Sequence, residues 1–369
     1  MTSRERIRAA LNFEPPDRLP CNESPWEDTV EAWRQQGLPA EVSLADYFGF
    51  DIQTMSLDVS PRFEQRLLRR EGEYIVYTDR QGYTVRKLDG KCGTMEFLEH
   101  RTADRPAWEA HRHRWRLEDG PTAPARIDEA SYFARFSPYP SWDEAQRQYD
   151  RLRGQDRYLL FVAYGPWEAT WRHRGFANLL MDLATDPDWV FEMAETHQEL
   201  VMAVLQRCLE LGMRPDGFYM VEDLGCERGL LMSPASWRRT LKPSVCRLGE
   251  FLARHGLDFW MHCCGNPSAL FDDLIACGVR VMQPLQVSAG LDAPDLRQHY
   301  GRDLVLYGNI DVKKMLGPRA ALEAEIRRKA PLARRGGYIF HSDHSVPPQV
   351  SYELYSWILA TARKCLANG

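Results

Sequence analysis

The second half of the chain alternates short apolar runs with stretches of helical periodicity, beginning near residue 158. The apolar runs are YLLFVAYG, DGFYMVED, LDFWMHCCG, VRVMQPL, DLVLYGN and GYIFHSD. A strand is predicted at each of them, and an earlier one at DIQTMSLDVSP, in residues 51–61. Strands that alternate with helices form βαβ crossovers, so the pattern predicts a parallel sheet.

A parallel sheet of this size can stay open or close into a barrel. Open sheets favour a glycine-rich phosphate turn after the first strand, and neither GxGxxG nor GxxxxGK occurs here. We therefore predict an α/β fold, a (β/α)₈ TIM barrel formed by residues 1–369 as one domain. Within residues 62–99 the pattern differs, because EYIVYT and YTVRKL flank the turn sequence DRQG. This predicts an antiparallel β-hairpin insertion near the N-terminus.

Composition narrows the class of protein. Of 369 residues, 44% are hydrophobic and 27% charged, and no stretch approaches the roughly 18 apolar residues of a membrane span. The net charge of -5 offers no basic field for nucleic acid. The N-terminal sequence predicts a short amphipathic helix ending before Pro15, not a secretory signal. We expect a cytoplasmic protein without membrane or nucleic-acid partners, whose nine cysteines are reduced thiols, some of them available as ligands.

The sharpest chemical signal is the strand end LDFWMHCCGN. Side chains alternate along a strand, so His262 and Cys264 project the same way, while Cys263 points opposite or lies in the turn. An imidazole and a thiolate can both reach one Zn²⁺. In the alternative interpretation, His262 is a hydrogen-bonded core histidine and the cysteines are small apolar fillers.

Further ligands could come from two other strand ends. The run HSDHS offers His341 and His344, and Glu222 and Asp223 offer oxygen donors. Three protein ligands and an open fourth position are the arrangement of a catalytic zinc. Glu222 and Asp223 are also candidates for a general acid or base, or for a cap of the following loop.

Other strand ends carry groups suited to substrate binding. Asp58 ends an early strand and suits hydrogen bonding to substrate N–H or O–H groups, or the capping of a turn. Trp167 and Arg172, with Trp171 and Arg174, could stack on and pair with a flat anionic ligand. The same spacing is typical of a helix that packs against its neighbours.

Several of these segments together resemble the uroporphyrinogen decarboxylase superfamily. They are DLGCERGLLMSPASWRRTLKP, HGLDFWMHCCGNPSALFDDLIACGVRVMQPLQ, LVLYGNIDVKKML and GGYIFHSDHSVPPQVSYELY, and the opening RERIRAALNFEPPDRLP is similar more weakly. The resemblance covers about residues 155–365 and implies a single TIM barrel. The superfamily includes decarboxylases and cobalamin-linked, zinc-dependent methyltransferases.

The decarboxylase branch is similar only in part. Its N-terminal RQAGR segment binds substrate carboxylates through two arginines, whereas this chain has Arg34-Gln35-Gln36-Gly37 followed by Leu38. A pocket without paired arginines compensates the carboxylates of a porphyrinogen poorly. Asp58 resembles the aspartate that holds pyrrole N–H groups, and His344 resembles a late histidine of that branch.

The methyltransferase branch is similar at the His-x-Cys pair, which His262 and Cys264 match. Its third ligand is a cysteine in a turn resembling SPGCGIAP, and His344 stands at that place in FHSDHSVPP. The resemblance thus implies Zn²⁺ on His262, Cys264 and His344, with Glu222 or Asp223 as a fourth ligand or nearby base.

The expected function is a zinc-dependent methyltransferase that moves a methyl group between a small methylated substrate or thiol and a corrinoid. The Asp-x-His-x-x-Gly motif of cobalamin carriers does not occur here, so the corrinoid is expected on a partner protein. Alternatives are a lyase acting on a carboxylated tetrapyrrole or pyrrole, and a non-catalytic tetrapyrrole or corrinoid binder. A homodimer is compatible with the sequence. The residues expected to line the substrate pocket are Glu23, Trp26, Trp167, Glu168 and Arg172.

Overall fold

The computed structural model of the chain describes residues 1–91, 93, 95–118, 120, 122–129 and 138–367. Its strands are β1 Ile52–Leu57, β2 Arg66–Glu71, β3 Tyr74–Thr78, β4 Tyr83–Leu88, β5 Glu96–His100, β6 Ile127–Asp128, β7 Tyr158–Tyr164, β8 Gly217–Val221, β9 Gly225–Cys226, β10 Gly229–Leu230, β11 Asp258–His262, β12 Val279–Gln283, β13 Val305–Tyr307 and β14 Tyr338–Ile339. Its α-helices are α1 Ser3–Leu11, α2 Glu27–Gln35, α3 Leu44–Phe48, α4 Arg105–His111, α5 Trp142–Arg153, α6 Pro166–Arg174, α7 Phe176–Thr185, α8 Pro187–Glu210, α9 Pro234–Thr240, α10 Lys242–Arg254, α11 Phe271–Ala276, α12 Ala293–Tyr300, α13 Val312–Met315, α14 Arg319–Lys329 and α15 Tyr352–Ala367. Among these helices, none has both the length and the apolar character needed to cross a membrane.

Seven strands form a parallel sheet in the order β1, β7, β8, β11, β12, β13, β14, and the short β6 pairs antiparallel with β1. Residues 20–22 occupy the eighth strand position of the barrel, between β14 and β1. Cys21 forms a parallel bridge with Phe340, which follows β14, and its carbonyl accepts a 2.9 Å hydrogen bond from the backbone of Asp51, which precedes β1. The predicted barrel and the seven predicted strands are confirmed. The closing segment was not predicted, because it has no apolar run of its own.

Inward and outward side chains alternate along the barrel strands, as closure requires. On β7, Leu160 and Val162 belong to the inner core, while Leu159 and Phe161 pack against the surrounding helices. Helix α1 contributes side chains to the inner core and ends at Leu11. The predicted N-terminal helix is therefore confirmed, and a capping box at Thr2 starts it.

The predicted insertion is a four-stranded antiparallel sheet, β2 to β5 in sequence order. It packs on helix α6. Phe97 meets Trp171 edge to face at 5.0 Å between ring centroids, and the His100 ring donates to the carbonyl of Arg172 at 2.8 Å. Since α6 follows β7, these contacts hold the insertion beside one end of the barrel.

One expectation about the cysteines is wrong in the structure: Cys246 and Cys277 form a disulfide. Helix α10 approaches the end of α11 closely because Gly249 has no side chain, and a Cβ there would stand 1.8 Å from the Cys277 carbonyl oxygen. This contact brings two cysteines together that lie 31 residues apart. The spacing of cysteines along the chain does not reveal such a contact.

Barrel closure depends on the fully buried carboxylate of Asp51. One oxygen accepts hydrogen bonds from Arg6 at 2.7 Å and from Arg18 at 2.6 Å, and the other accepts from the backbone of Cys21 at 3.0 Å. The side chain thus joins α1, the closing segment and the start of β1.

Replacing Asp51 by Asn should lower the free energy of unfolding by about 1–3 kcal/mol, because Arg6 and Arg18 lose a buried counter-charge while Arg6 keeps its ion pair with Asp17. Urea unfolding followed by circular dichroism measures the change. Asp188→Asn is the matched control, since its side chain is 88% exposed in an ion pair with Arg239 and should contribute almost nothing. If both variants lost the same free energy of unfolding, the role of Asp51 in closing the barrel would be contradicted.

Candidate active site

The parallel register aligns the carboxyl ends of β8, β11 and β12 at one end of the barrel. His262 pairs with Val221 of β8 on one side and with Gln283 of β12 on the other. A cavity of about 600 Å³ opens there. Its walls on the barrel side include Trp26, Tyr164, Tyr219, Pro284, His341 and His344. The insertion contributes Tyr77, Tyr83, Lys87 and Met95. The insertion is therefore one wall of the cavity, a role that the sequence did not reveal.

Asp223, His262 and Cys264 meet on the cavity wall, and their potential ligand atoms all lie within 4.8 Å of one another. Nε2 of His262 lies 3.3 Å from Sγ of Cys264 and 3.4 Å from Oδ1 of Asp223. All three side chains are partly exposed. Cys263 is instead buried, and its sulfur accepts from the backbone of Leu224. The predicted strand alternation is thus seen in the structure.

The spacing of these donor atoms suits a zinc ion. Bonds of about 2.0–2.3 Å in tetrahedral geometry place nitrogen, sulfur and oxygen donors about 3.4–3.6 Å apart. The two distances from His262 are close to that range. The set provides one nitrogen, one sulfur and one oxygen, all types that zinc accepts, and a fourth position can face the cavity.

Gln283 orients the imidazole of His262. Its Oε1 accepts a hydrogen bond from Nδ1 of His262 and another from the hydroxyl of Tyr219. With its proton on Nδ1, the ring presents the Nε2 lone pair to the sulfur and the carboxylate. In the sequence, Gln283 is one residue of the predicted strand VRVMQPL, and its supporting role follows from the register of β11 and β12.

Electrostatics favour a cation in this group. Burial by itself would lower the pKa of His262, but the negative charges of Cys264 and Asp223 outweigh it and hold that pKa well above its usual value. Burial by itself would raise the pKa of Asp223, but the hydrogen bond and charge of His262, together with the backbone N–H of Cys264, outweigh this effect and lower that pKa. The raised pKa of His262 shows that positive charge is stabilised at this position, and a metal ion can take that position over.

Glu222, a sequence candidate for a ligand or catalytic group, is fully buried and caps helix α6 instead. Its carboxylate accepts the backbone N–H groups of Trp167 at 2.8 Å and Glu168 at 2.9 Å. Gly165 allows this approach, because a Cβ there would stand 2.4 Å from the carboxylate. Burial raises the pKa of Glu222 well above its usual value, although the two hydrogen bonds act the other way. Of the two neighbouring acids, Asp223 faces the cavity.

Glu168 and Arg172 both line the cavity, and Trp167 does not belong to the lining found among the described residues. Arg172 donates to the Glu168 carboxylate and stacks 3.8 Å from the ring centre of Tyr164. Burial raises the pKa of Glu168, and the charge of Arg172 counteracts this. Trp167 is fully buried because its side of α6 packs into the core, with Phe176 at 5.9 Å.

Asp58 is held away from the cavity in a cluster of arginines. Arg62 lies 2.7 Å from its carboxylate and Arg80 3.7 Å, and Ser60 donates a further hydrogen bond. Burial by itself would raise the pKa of Asp58, but the charges of Arg80, Arg62 and Arg126 lower it to about 2. Since Asp58 is not among the described residues that line the cavity, its predicted contact with substrate is not seen.

His344 and Trp26 line the cavity, with ring centroids 5.9 Å apart. Among the described residues, His344 does not belong to the group of ligand atoms, so the third member beside His262 and Cys264 is Asp223. Glu23 is buried behind the cavity lining, where it accepts from the Ser342 hydroxyl at 2.7 Å.

The fold and this group define a TIM-barrel protein with a metal-capable cluster at the mouth. Residues 147–365 match the family model of uroporphyrinogen decarboxylase (URO-D), and the chain belongs to that family. A methyltransferase from Methanosarcina mazei has the same fold, with a TM-score of 0.65 and 16% identity over 99% of this chain and 98% of that one. A candidate vitamin-B12 independent methionine synthase from Listeria monocytogenes gives a TM-score of 0.40 and 12% identity, over 94% and 96% of the two chains. No curated protein sequence matches the chain.

The pKa of Asp58 gives a prediction about stability. Because it lies below the value of about 3.9 in an unfolded chain, the ionised carboxylate stabilises the fold by about 2–3 kcal/mol above pH ~4, and this is lost as pH falls towards 2. Asp58→Asn should therefore lower the free energy of unfolding at neutral pH, and its difference from wild type should shrink on acidification. Urea unfolding measures this over the pH range in which wild type is folded. Asp303→Asn, at an exposed position, serves as control, and a pH-independent difference for Asp58→Asn would contradict the prediction.

Proposed function

We propose that the protein is a zinc-dependent methyltransferase, which moves a methyl group between a small substrate and a corrinoid carried by a partner protein. The observation that carries this proposal is the meeting of Asp223, His262 and Cys264 on the wall of a cavity of small-molecule size. Membership of the URO-D family and a methyltransferase of the same fold support it.

Zinc held by these three side chains would act as a Lewis acid on the heteroatom that carries the methyl group. Gln283 fixes the ring of His262 so that its Nε2 would be available to the ion, and the Cys264 backbone holds Asp223 through a 2.7 Å hydrogen bond. With one sulfur among three donors, the site is less electron-rich than a sulfur-rich one. That favours activation of a methyl ether or methylamine over strong activation of a thiol.

The walls of the cavity suit a compact, partly aromatic substrate. Rings of Trp26, Tyr77, Tyr83, Tyr164 and Tyr219 surround the space. Such rings exclude water and offer flat contact surfaces to an aromatic or methylated group. This setting strengthens the electrostatic effect of the ion on a bound heteroatom.

The decarboxylase alternative fits the charges of the cavity less well. Among the described lining residues the cations besides histidine are Arg172 and Lys87, and Arg172 is already paired with Glu168. Arg34, the remnant of the arginine-rich segment, donates to the carbonyl of Val42 at 2.7 Å. A substrate with many carboxylates would therefore be poorly compensated here.

Zinc analysis and a transfer assay together test the proposal. The purified chain should hold about one zinc per molecule, whereas Cys264→Ser should hold less than about a tenth of an equivalent. With zinc, free cob(I)alamin as acceptor and a panel of methyl ethers and methylamines, wild type should form methylcobalamin, and Cys264→Ser should not. Cys226→Ser, which changes an exposed cysteine outside the group, should match wild type. Zinc-free protein with unchanged folding, or no transfer across the panel, would refute the proposal.

Gln283→Leu should weaken zinc binding by about 10- to 100-fold, because His262 loses the acceptor that fixes its ring. Competition with a chromophoric chelator measures the affinity. Gln298→Leu, at an exposed position of α12, should leave it unchanged. An unchanged affinity in Gln283→Leu would show that the imidazole is oriented by other contacts.

A further inference from the structure

We propose that Gly225 and Gly265 are positioning residues of the candidate metal site. Their contact holds the loop that carries Asp223 against the turn that carries Cys264, so that the ligands are in place before a metal binds. The proposal rests on the metal site of the proposed function and deepens it. Neither glycine is among the described residues that line the cavity, so both act through other residues.

Asp223 lies in the short link between β8 and β9, and this link is fastened at both ends. At its start, the backbone of Glu222 donates to the carbonyl of His262 at 2.9 Å. Beyond its end, the carbonyl of Cys226 accepts from the backbone of Asn266 at 3.0 Å. The aspartate is therefore held between two points of contact with the end of β11 and the turn that follows it.

The second point of contact depends on two glycines, because the backbones of the two loops touch there. A Cβ on Gly265 would stand 2.5 Å from the backbone nitrogen of Cys226 and 2.5 Å from the carbonyl carbon of Gly225. A Cβ on Gly225 would stand 2.9 Å from the backbone nitrogen of Asn266. Non-bonded heavy atoms pack at about 3.5 Å, so a side chain at Gly265 would push the loops apart by about 1 Å.

The turn after β11 is also held from its other side. The backbone N–H of Gly265 donates to Oε1 of Gln286 at 2.7 Å, and Gln286 follows β12, the parallel neighbour of β11. The turn therefore stays with β12 when the loop after β8 moves outwards. Such a movement separates Asp223 from Cys264.

This separation matters because metal ligands must be held within about 0.5 Å of their productive positions. Oδ1 of Asp223 lies 3.4 Å from Nε2 of His262, a spacing that suits zinc. A shift of about 1 Å would remove this oxygen from the group. His262 and Cys264 would stay together, since both belong to the end of β11. The two glycines thus act on the metal site through Asp223.

The test is metal binding by the full-length protein after removal of bound metal. Gly225→Ala and Gly265→Ala should bind Zn²⁺ about 10- to 100-fold more weakly than wild type, as measured by competition with a chromophoric chelator. With Co²⁺ in place of zinc, the visible absorption spectrum of each variant should match that of Asp223→Ala and differ from wild type, because the same oxygen donor is lost. Gly225→Ala is the milder change: Gly225 is half-buried and Cys226 exposed, so the loop can move outwards while the barrel stays folded.

Gly256→Ala separates backbone strain from loop contact. Gly256 has a φ of +67°, close to the +77° of Gly265, and no atom of the described chain beyond its neighbours comes within 4 Å of a Cβ there. This variant should lose about as much thermal stability as Gly265→Ala and keep the zinc affinity and cobalt spectrum of wild type.

A double variant tests whether the glycine acts through the carboxylate. In a protein that already carries Asp223→Ala, Gly225→Ala should cost no further zinc affinity. If both glycine variants bind zinc as tightly as wild type, or if Gly225→Ala costs the same factor with and without Asp223, the positioning role is refuted and the metal site stands. If wild type binds neither Zn²⁺ nor Co²⁺, the proposed function falls and takes this inference with it.

Discussion

The register of three neighbouring parallel strands is the constraint on which the candidate site depends. Because His262 pairs with Val221 and with Gln283, the ends of β8, β11 and β12 stand level at the mouth of the barrel. Asp223 then reaches the imidazole from one neighbouring strand and Gln283 from the other. A shift of one residue in β11 would turn His262 and Cys264 outwards, so the hydrophobic pairing that fixes the barrel also fixes the chemistry.

Buried carboxylates of this chain differ in function because they differ in partners. Asp51 is neutralised by two arginines and joins the ends of the barrel, and Asp58 is enclosed by arginines beside β1. Glu222 is compensated by the first N–H groups of a helix. Asp223 has an imidazole and a thiol beside it and is open to the cavity. The four carboxyl groups are chemically alike, and their partners and access to the cavity distinguish them.

The sequence predicts features that depend on neighbouring residues in the chain. Apolar periodicity predicts the strands, and alternation within β11 predicts that His262 and Cys264 share a face. Features that depend on contacts between distant elements are not predictable in this way. The choice of Asp223 over Glu222 follows from the direction of the chain as it leaves β8, and the contact of Gly225 with Gly265 joins the loops after β8 and β11. The disulfide and the closing segment at Cys21 follow from packing for the same reason.

The cavity combines two kinds of structure with separate contributions. The strand ends supply Asp223, His262 and Cys264, whose positions follow from the parallel hydrogen bonding of the barrel. The insertion supplies Tyr77, Tyr83 and Met95, and it is anchored to α6 through Phe97 and His100. Changes in the insertion can therefore alter which sizes and shapes of molecule the cavity accepts, without moving Asp223, His262 or Cys264. Conversely, a molecule that fills the cavity contacts both parts at once, so the insertion can exclude water from the side of the cavity that Asp223, His262 and Cys264 line.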